Sequence, residues 1–176
     1  CASDWRLGKM GSPQEMIFGD GAAAFLISDH DVIAEYKGSY SVTADFVDHY
    51  RGSFTKYDRQ WEDRWIRDQG YDRLIPKAVE GLLNKYSLEM GDFSKVIYSC
   101  HYAAERKKLN KRFDLDPDRV QDTLMDQVGD MGAAQSPVML ARAMEDAGPG
   151  DKILVVSYGS GCDAICFQVT ENIRRI

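Results

Sequence analysis

Hydrophobic and polar positions fall into blocks along this chain, and each block predicts an element. Residues 16–28, MIFGDGAAAFLIS, are apolar with glycines at Gly19 and Gly21. The small residues Ala22 to Ala24, followed by Phe25, Leu26 and Ile27, predict a buried strand with a close neighbour. Residues 32–43 alternate in polarity, which predicts a second, more exposed strand. The pattern then breaks. Across 45–71, Phe46, Tyr50, Phe54, Tyr57, Trp61, Trp65 and Tyr71 sit among Arg51, Arg59, Arg64 and Arg67 with no strand or helix repeat, so a large irregular excursion is expected.

Order returns at 72–86, where Leu74, Ile75, Ala78, Val79, Leu82, Leu83 and Tyr86 recur at three- and four-residue steps, one apolar helical stripe. Pro76 is placed in its first turn, where a missing N–H does no harm. Val96-Ile97-Tyr98, inside the run 95–100, reads as a short buried strand, and 103–113 as a short basic helix. Ser136-Pro137 suits the N-cap and first position of a helix to Ala147, ended by Gly148-Pro149-Gly150. Residues 153–157 and 164–169 read as two strands joined by a glycine turn, Tyr158 to Asp163. Helices alternating with short apolar strands predict an α/β layered fold with a mixed sheet.

Composition narrows the functional classes. A length of 176 residues suits one domain, or half of a larger one, and 44% hydrophobic residues with 11% aromatics suffice for a core. A net charge of −6 argues against a general nucleic-acid binder. No apolar run approaches the roughly 18 residues of a membrane span, and the first residues lack the blocks of a signal peptide. Cys1, Cys100, Cys162 and Cys166 make no CxxC pair and no zinc-like spacing with His30, His49 or His101, so no metal site is expected. Cys162 and Cys166 read as small buried hydrophobes, and a reducing cytoplasm is the default compartment.

Two segments carry candidate chemistry. His101 ends the run 95–100, and Gly159-Ser160-Gly161 forms a tight turn offering free backbone N–H groups. A histidine at a strand end and a donor-rich turn are what acyl transfer needs. By spacing alone, a structural core histidine is an equal reading, and a plain hairpin turn is the alternative for Gly159-Ser160-Gly161, since one turn can serve both purposes. Cys100 is rejected as the nucleophile, because neighbours on a strand point to opposite faces. His30 and His49 lack comparable context and read as surface or structural residues.

Phe18-Gly19-Asp20-Gly21-Ala22-Ala23-Ala24, Asp45-Phe46 through Tyr50-Arg51 with Arg64 and Gly70-Tyr71, Cys100-His101-Tyr102, Gly129-Asp130-Met131-Gly132-Ala133-Ala134 and residues 153–163 occur in this order. Together they resemble the thiolase superfamily of acyl-condensing enzymes, in its 3-hydroxy-3-methylglutaryl-CoA synthase-like branch near ketoacyl synthase III. The resemblance covers nearly the whole chain. It implies an α/β thiolase-like layered fold with a mixed five-stranded sheet. Residues 1–30 would be the final strands of an N-terminal half, and 31–176 the C-terminal half with an aromatic-rich insertion at about 45–71. The chain begins at Cys1 without an initiator Met. The nucleophilic cysteine and a glutamate acid/base are therefore expected in a half outside it, and the chain alone is expected to be inactive.

On that resemblance His101 acts on the substrate carbonyl or the thiol, and Gly159, Ser160 and Gly161 present an N–H to the oxyanion. Asp130 departs from the usual asparagine. An ionised aspartate only accepts hydrogen bonds, so it either orients His101 or caps its loop, and it repels the carboxylate of a malonyl group. In the basic run Arg106, Lys107, Lys108, Lys111 and Arg112, Lys107 and Lys111 are the candidates for the phosphates of coenzyme A, against a solvated helix face. The aromatic excursion walls an acyl or pantetheine tunnel, meets a partner, or is local core. The expected function is an acyl-CoA-condensing acyltransferase with acyl-CoA substrates, no cofactor, and a homodimeric assembly. The alternatives are a thiolase-type enzyme with a small OB-fold partner and a non-catalytic scaffold, with a decarboxylating ketoacyl synthase below both.

Overall fold

The computed structural model describes residues 1–3 and 6–175. In chain order the elements are β1 (Ala2–Ser3), α1 (Pro13–Ile17), β2 (Gly21–Ala22), β3 (Ala34–Thr43), β4 (His49–Tyr50), β5 (Arg59–Gln60), α2 (Asp63–Trp65) and, after a π-helical stretch (Ile66–Tyr71), α3 (Asp72–Tyr86). Then follow β6 (Lys95–Tyr98), α4 (Ala103–Arg112), α5 (Met125–Val128), α6 (Gln135–Glu145), β7 (Lys152–Gly159) and β8 (Gly161–Val169).

The central sheet has four strands in the order β3-β8-β7-β6, the first two pairings antiparallel and β7-β6 parallel. Its inner strands are apolar on both faces because both faces are covered. Along β7, Leu154 and Val156 join the α3 side of the core, while Ile153 and Val155 join the α6 side. β6 alternates likewise, with Val96 and Tyr98 on one side and Ile97 on the other. Cys162 and Cys166 on β8 are buried under α3, as small apolar residues in a strand should be. Burial pushes the Cys162 thiol up to about 12 and raises that of Cys166.

Several expectations need correction. Among the described residues four strands form the sheet where five were expected, and beyond β6 there is only a single parallel bridge, Val96 to Val120. Residues 16–28 are not a buried strand: α1 and the two-residue β2 occupy the start, and Leu26 and Ile27 are 96% and 91% exposed. A strand is buried by neighbours, and among the described residues only β1 and a single bridge from Phe18 to Asp130 pair with this segment. Part of the expected excursion is helical, since α2 and the π-helical stretch run directly into α3. Pro76 therefore lies inside a longer helical segment rather than in its first turn. Ser136 does not cap α6; the preceding short 3-10 turn (Gly132–Ala134) leads in, and Ala134 takes the cap position. Pro137 still falls in the first turn, among the N–H groups a helix leaves unpaired. The last two strands run further than expected, meeting at Gly159 and Gly161 with Ser160 alone at the tip.

Candidate active site

Parallel pairing of β6 with β7 sets Tyr98 opposite Val156. Three residues beyond that rung on each strand stand His101 and Gly159, so one register brings together two segments almost sixty positions apart. Both lie at the carboxyl ends of parallel strands, where ligands bind in α/β sheets. The third predicted segment arrives through the N-terminal region. Asp130 is held on residues 17–19 by a parallel bridge to Phe18, its N–H donating to the Ile17 carbonyl at 2.6 Å and its carbonyl accepting from Gly19 N–H at 3.1 Å.

These segments surround a cleft of about 330 Å³ whose walls include His101, Asp130, Gly159, Ser160, Asp48, His49 and Tyr158. His101, Asp130, Gly159 and Ser160 are thus brought together, while Gly161 is set back from the cleft. The two turn glycines differ in kind. Gly161 has φ +130°, and a Cβ there would stand 2.2 Å from the Val42 carbonyl oxygen, so the hairpin requires it. A Cβ at Gly159 would meet nothing within 4 Å, which leaves its backbone accessible from the cleft. Lys107 and Lys111 are exposed on α4 and lie outside the cleft walls. Their basic neighbours are engaged: Lys108 with Asp72, and Arg112 with Glu80 at 2.8 Å.

His101 packs against Tyr102, ring centroids 3.9 Å apart, and edge-on to Tyr71 at 6.4 Å. Burial pushes its imidazole below the usual histidine range; Asp130 opposes this, and His49 adds to the depression. His101 is therefore a neutral imidazole at neutral pH, able to take a proton. Asp130 makes no hydrogen bond to it among the described residues. The Asp130 carboxylate is 3.1 Å from the Arg6 guanidinium, and its Oδ1 accepts from Gly132 N–H at 2.8 Å. It caps its loop and reaches His101 through its field. Arg6 also donates to the Asp130 carbonyl at 2.7 Å and stacks over Phe18.

Sequence reasoning does not single out Arg6 or Asp48, names Tyr71 and Tyr158 only as parts of wider segments, and gives His49 no context, whereas the structure sets all five on the cleft. Asp48 is 7% exposed, pairs with His49 Nδ1 at 3.0 Å and accepts from Tyr158 Oη at 2.8 Å. Burial pushes the Asp48 carboxyl up, but His49 and Tyr158 outweigh it, and it lies below its ordinary value. The adjacency Asp48-His49 was the one visible signal. His30, by contrast, is exposed beside Asp29, as expected. Cys100 is buried, and desolvation pushes its thiol up to about 12, which makes it a poor nucleophile. Of the aromatic excursion, Phe46 and Tyr71 are core, while Tyr50, Phe54, Tyr57, Trp61 and Trp65 are exposed. Phe46 stacks on Trp65 at 4.3 Å, and both line another cavity, of about 400 Å³. Among the described residues no cluster of His, Cys, Asp or Glu is placed to hold a metal ion, and no helix is long and apolar enough to cross a membrane.

Residues 83–170 match the family model for the C-terminal part of 3-oxoacyl-(acyl-carrier-protein) synthase III. A hydroxymethylglutaryl-CoA synthase of Methanopyrus kandleri is 33% identical, over 99% of this chain and 50% of that protein. The Methanothermobacter thermautotrophicus synthase is 29% identical, over 97% and 49%. The chain spans about half the length of the curated relatives it matches. Among solved structures, an HMG-CoA synthase complexed with CoA superposes with a TM-score of 0.77 at 15% identity, covering 97% of this chain and 48% of that one. The 3-oxoacyl-(acyl-carrier-protein) synthase III of Aquifex aeolicus superposes with a TM-score of 0.66 at 16% identity, covering 81% and 46%. These structural likenesses establish the fold.

Proposed function

The chain belongs to the 3-oxoacyl-(acyl-carrier-protein) synthase III C-terminal family, with its thiolase-like α/β fold, and from that premise we propose that the whole protein is an acyl-CoA-condensing acyltransferase of the hydroxymethylglutaryl-CoA synthase type. The observation that carries this reading is the meeting of His101 with the Gly159–Ser160 backbone in one cleft at the ends of parallel strands. A cysteine outside this chain carries the acyl group. His101, neutral at working pH, takes or returns a proton at the thiol or thioester, while a turn N–H faces the developing oxyanion. Asp130 tunes His101 through space while Arg6 keeps its loop in place.

Lys107 and Lys111 receive the phosphates of coenzyme A as point charges on an exposed helix face. The assembly this reading entails is a homodimer in the cytoplasm, whose reaction needs no cofactor beyond its acyl-CoA substrates. The test is to assay the intact protein for HMG-CoA formation and, in parallel, for thiolytic cleavage of a β-ketoacyl-CoA. Condensation activity that disappears in His101→Ala supports the proposal. Thiolysis without condensation moves the protein to the thiolase-type reading with its small OB-fold partner, and neither activity points to a scaffold.

A further inference from the structure

His49 carries no part of the function proposed above, yet its surroundings are fully specified. Its Nδ1 lies 3.0 Å from Asp48 Oδ1, and its Nε2 lies 3.2 Å from Gln60 Oε1. The Gln60 amide has one admissible orientation. Its nitrogen donates to Asp63 Oδ1 at 2.6 Å and to Tyr102 Oη at 2.9 Å, and turning it round would set an oxygen against a carboxylate. Both ring nitrogens of His49 therefore face acceptors, and only the imidazolium form donates from both.

The network continues toward the reacting end of the cleft. The second oxygen of Asp48 accepts from Tyr158 Oη at 2.8 Å, and Tyr158 immediately precedes Gly159. The Tyr158 ring stacks on Tyr71 at 4.4 Å, and Tyr71 in turn meets the His101 ring edge-on. We propose that His49 is a positioning residue: an imidazolium clamped between Asp48 and Gln60, which keeps Asp48 ionised, fastens Tyr158 and the adjoining turn, and holds the facing His101 neutral. The last two consequences for catalysis rest on the acyltransfer reading; the clamped charge does not.

The charged and titratable groups around His49 are Asp48 beside it, Asp63 behind Gln60, Tyr158 on β7, Asp130 before α6, Arg6 from the N-terminal segment and His101 after β6, while the uncharged Gln14 of α1 also donates to Gln60 Oε1 at 3.0 Å. Burial disfavours the His49 cation, but the hydrogen bond and charge of Asp48 favour it, Asp130 adds to that, and Arg6 opposes. The balance raises the His49 imidazole from its ordinary value. Two imidazoles of one cleft are thus driven apart, His49 upward and His101 downward, the pattern by which sites divide acid and base roles.

The test is a titration of the imidazoles in the intact protein by nitrogen-15 NMR. The expected result is a His49 with both nitrogens protonated at neutral pH and a midpoint above that of an ordinary histidine, while His101 titrates below it. Asp48→Asn lowers the His49 midpoint. His49→Gln raises the His101 midpoint, moves the acid limb of the kcat/KM profile to higher pH, and lowers kcat on the order of 10- to 100-fold through a misplaced turn. A wild-type His49 with one protonated nitrogen at neutral pH overturns the proposal, whatever the activity. A doubly protonated His49 in a protein that neither condenses nor cleaves acyl-CoA leaves the clamp standing and removes the acyltransfer reading instead.

Discussion

One wall of the cleft hangs from the sheet, and the other is tied together by side chains. His101 and Gly159 follow β6 and β7, and their meeting is a consequence of parallel register and of a sheet buried on both faces. Opposite them, Asp48, His49, Arg6 and Asp130 come from loops and from the two-residue strand β4, where short main-chain pairings are supplemented by side-chain hydrogen bonds and ion pairs. The first wall owes its shape to backbone ladders and apolar packing, which are insensitive to pH. The second owes its shape to groups whose charge must be right, so solvent conditions reach the active cleft through that side.

The sharpest way to separate the walls is to remove one group from each and compare. If the proposed condensation holds, His101→Ala in the intact protein is expected to cut its rate by roughly 10²- to 10⁴-fold with little change in the melting midpoint, because on that proposal it deletes a proton-transfer group from a wall the strands maintain. Next in size, Gly161→Ala is expected to destabilise the protein by about 3 kcal/mol in denaturant melts, since it combines a forbidden φ with a backbone clash. Gly159→Ala should leave stability within about 0.5 kcal/mol. Equal losses at the two glycines would contradict the division between the turn's structural and exposed halves.

On the other wall, Tyr158→Phe leaves Asp48 one donor short and is expected to cost about 1–2 kcal/mol. Its pH dependence can be worked out by sign. The raised His49 contributes stability that is complete below its unfolded value, near 6.5, and is lost as pH rises through its folded one. The lowered Asp48 contributes stability present above its unfolded value, near 3.9, and lost as pH falls through its folded one. The lowered His101 acts against the fold as pH falls below the ordinary histidine range. Melts across pH should therefore show the advantage of wild type over His49→Gln greatest in mildly acid solution and fading as the medium becomes alkaline; a constant difference would refute the charged pair. The smallest effect is expected outside both walls: Lys107→Ala with Lys111→Ala should raise KM for a CoA thioester roughly fivefold, because exposed charges are worth little.

How much of this was legible differs by wall. The helix at 72–86, the strands before His101 and around the terminal turn, and the helix after Gly132 follow from periodicity and glycine placement. With them His101, Gly159 and Ser160 could be named in advance. The Asp48–His49–Gln60 arrangement could not, because β4 and β5 are two residues each, too short to show a period, and the partners of Asp48 and Gln60 lie on β7 and after β6. Residues 16–28 failed for the opposite reason. Their pattern is that of a core strand, but a pattern states only what would be buried if a neighbour were present.

Local spacing along the chain thus determined which segments are strand or helix, which faces are apolar, and which residues end a strand beside a flexible bend. Those properties depend on nearest neighbours and on the hydrophobic effect, both written in the order of residues. Tertiary structure alone decided that Asp130 is held by Arg6 and that two histidines share a cleft in opposite charge states. Protonation is set by burial and by charges a few ångströms away, and distance in space is what the linear order does not contain.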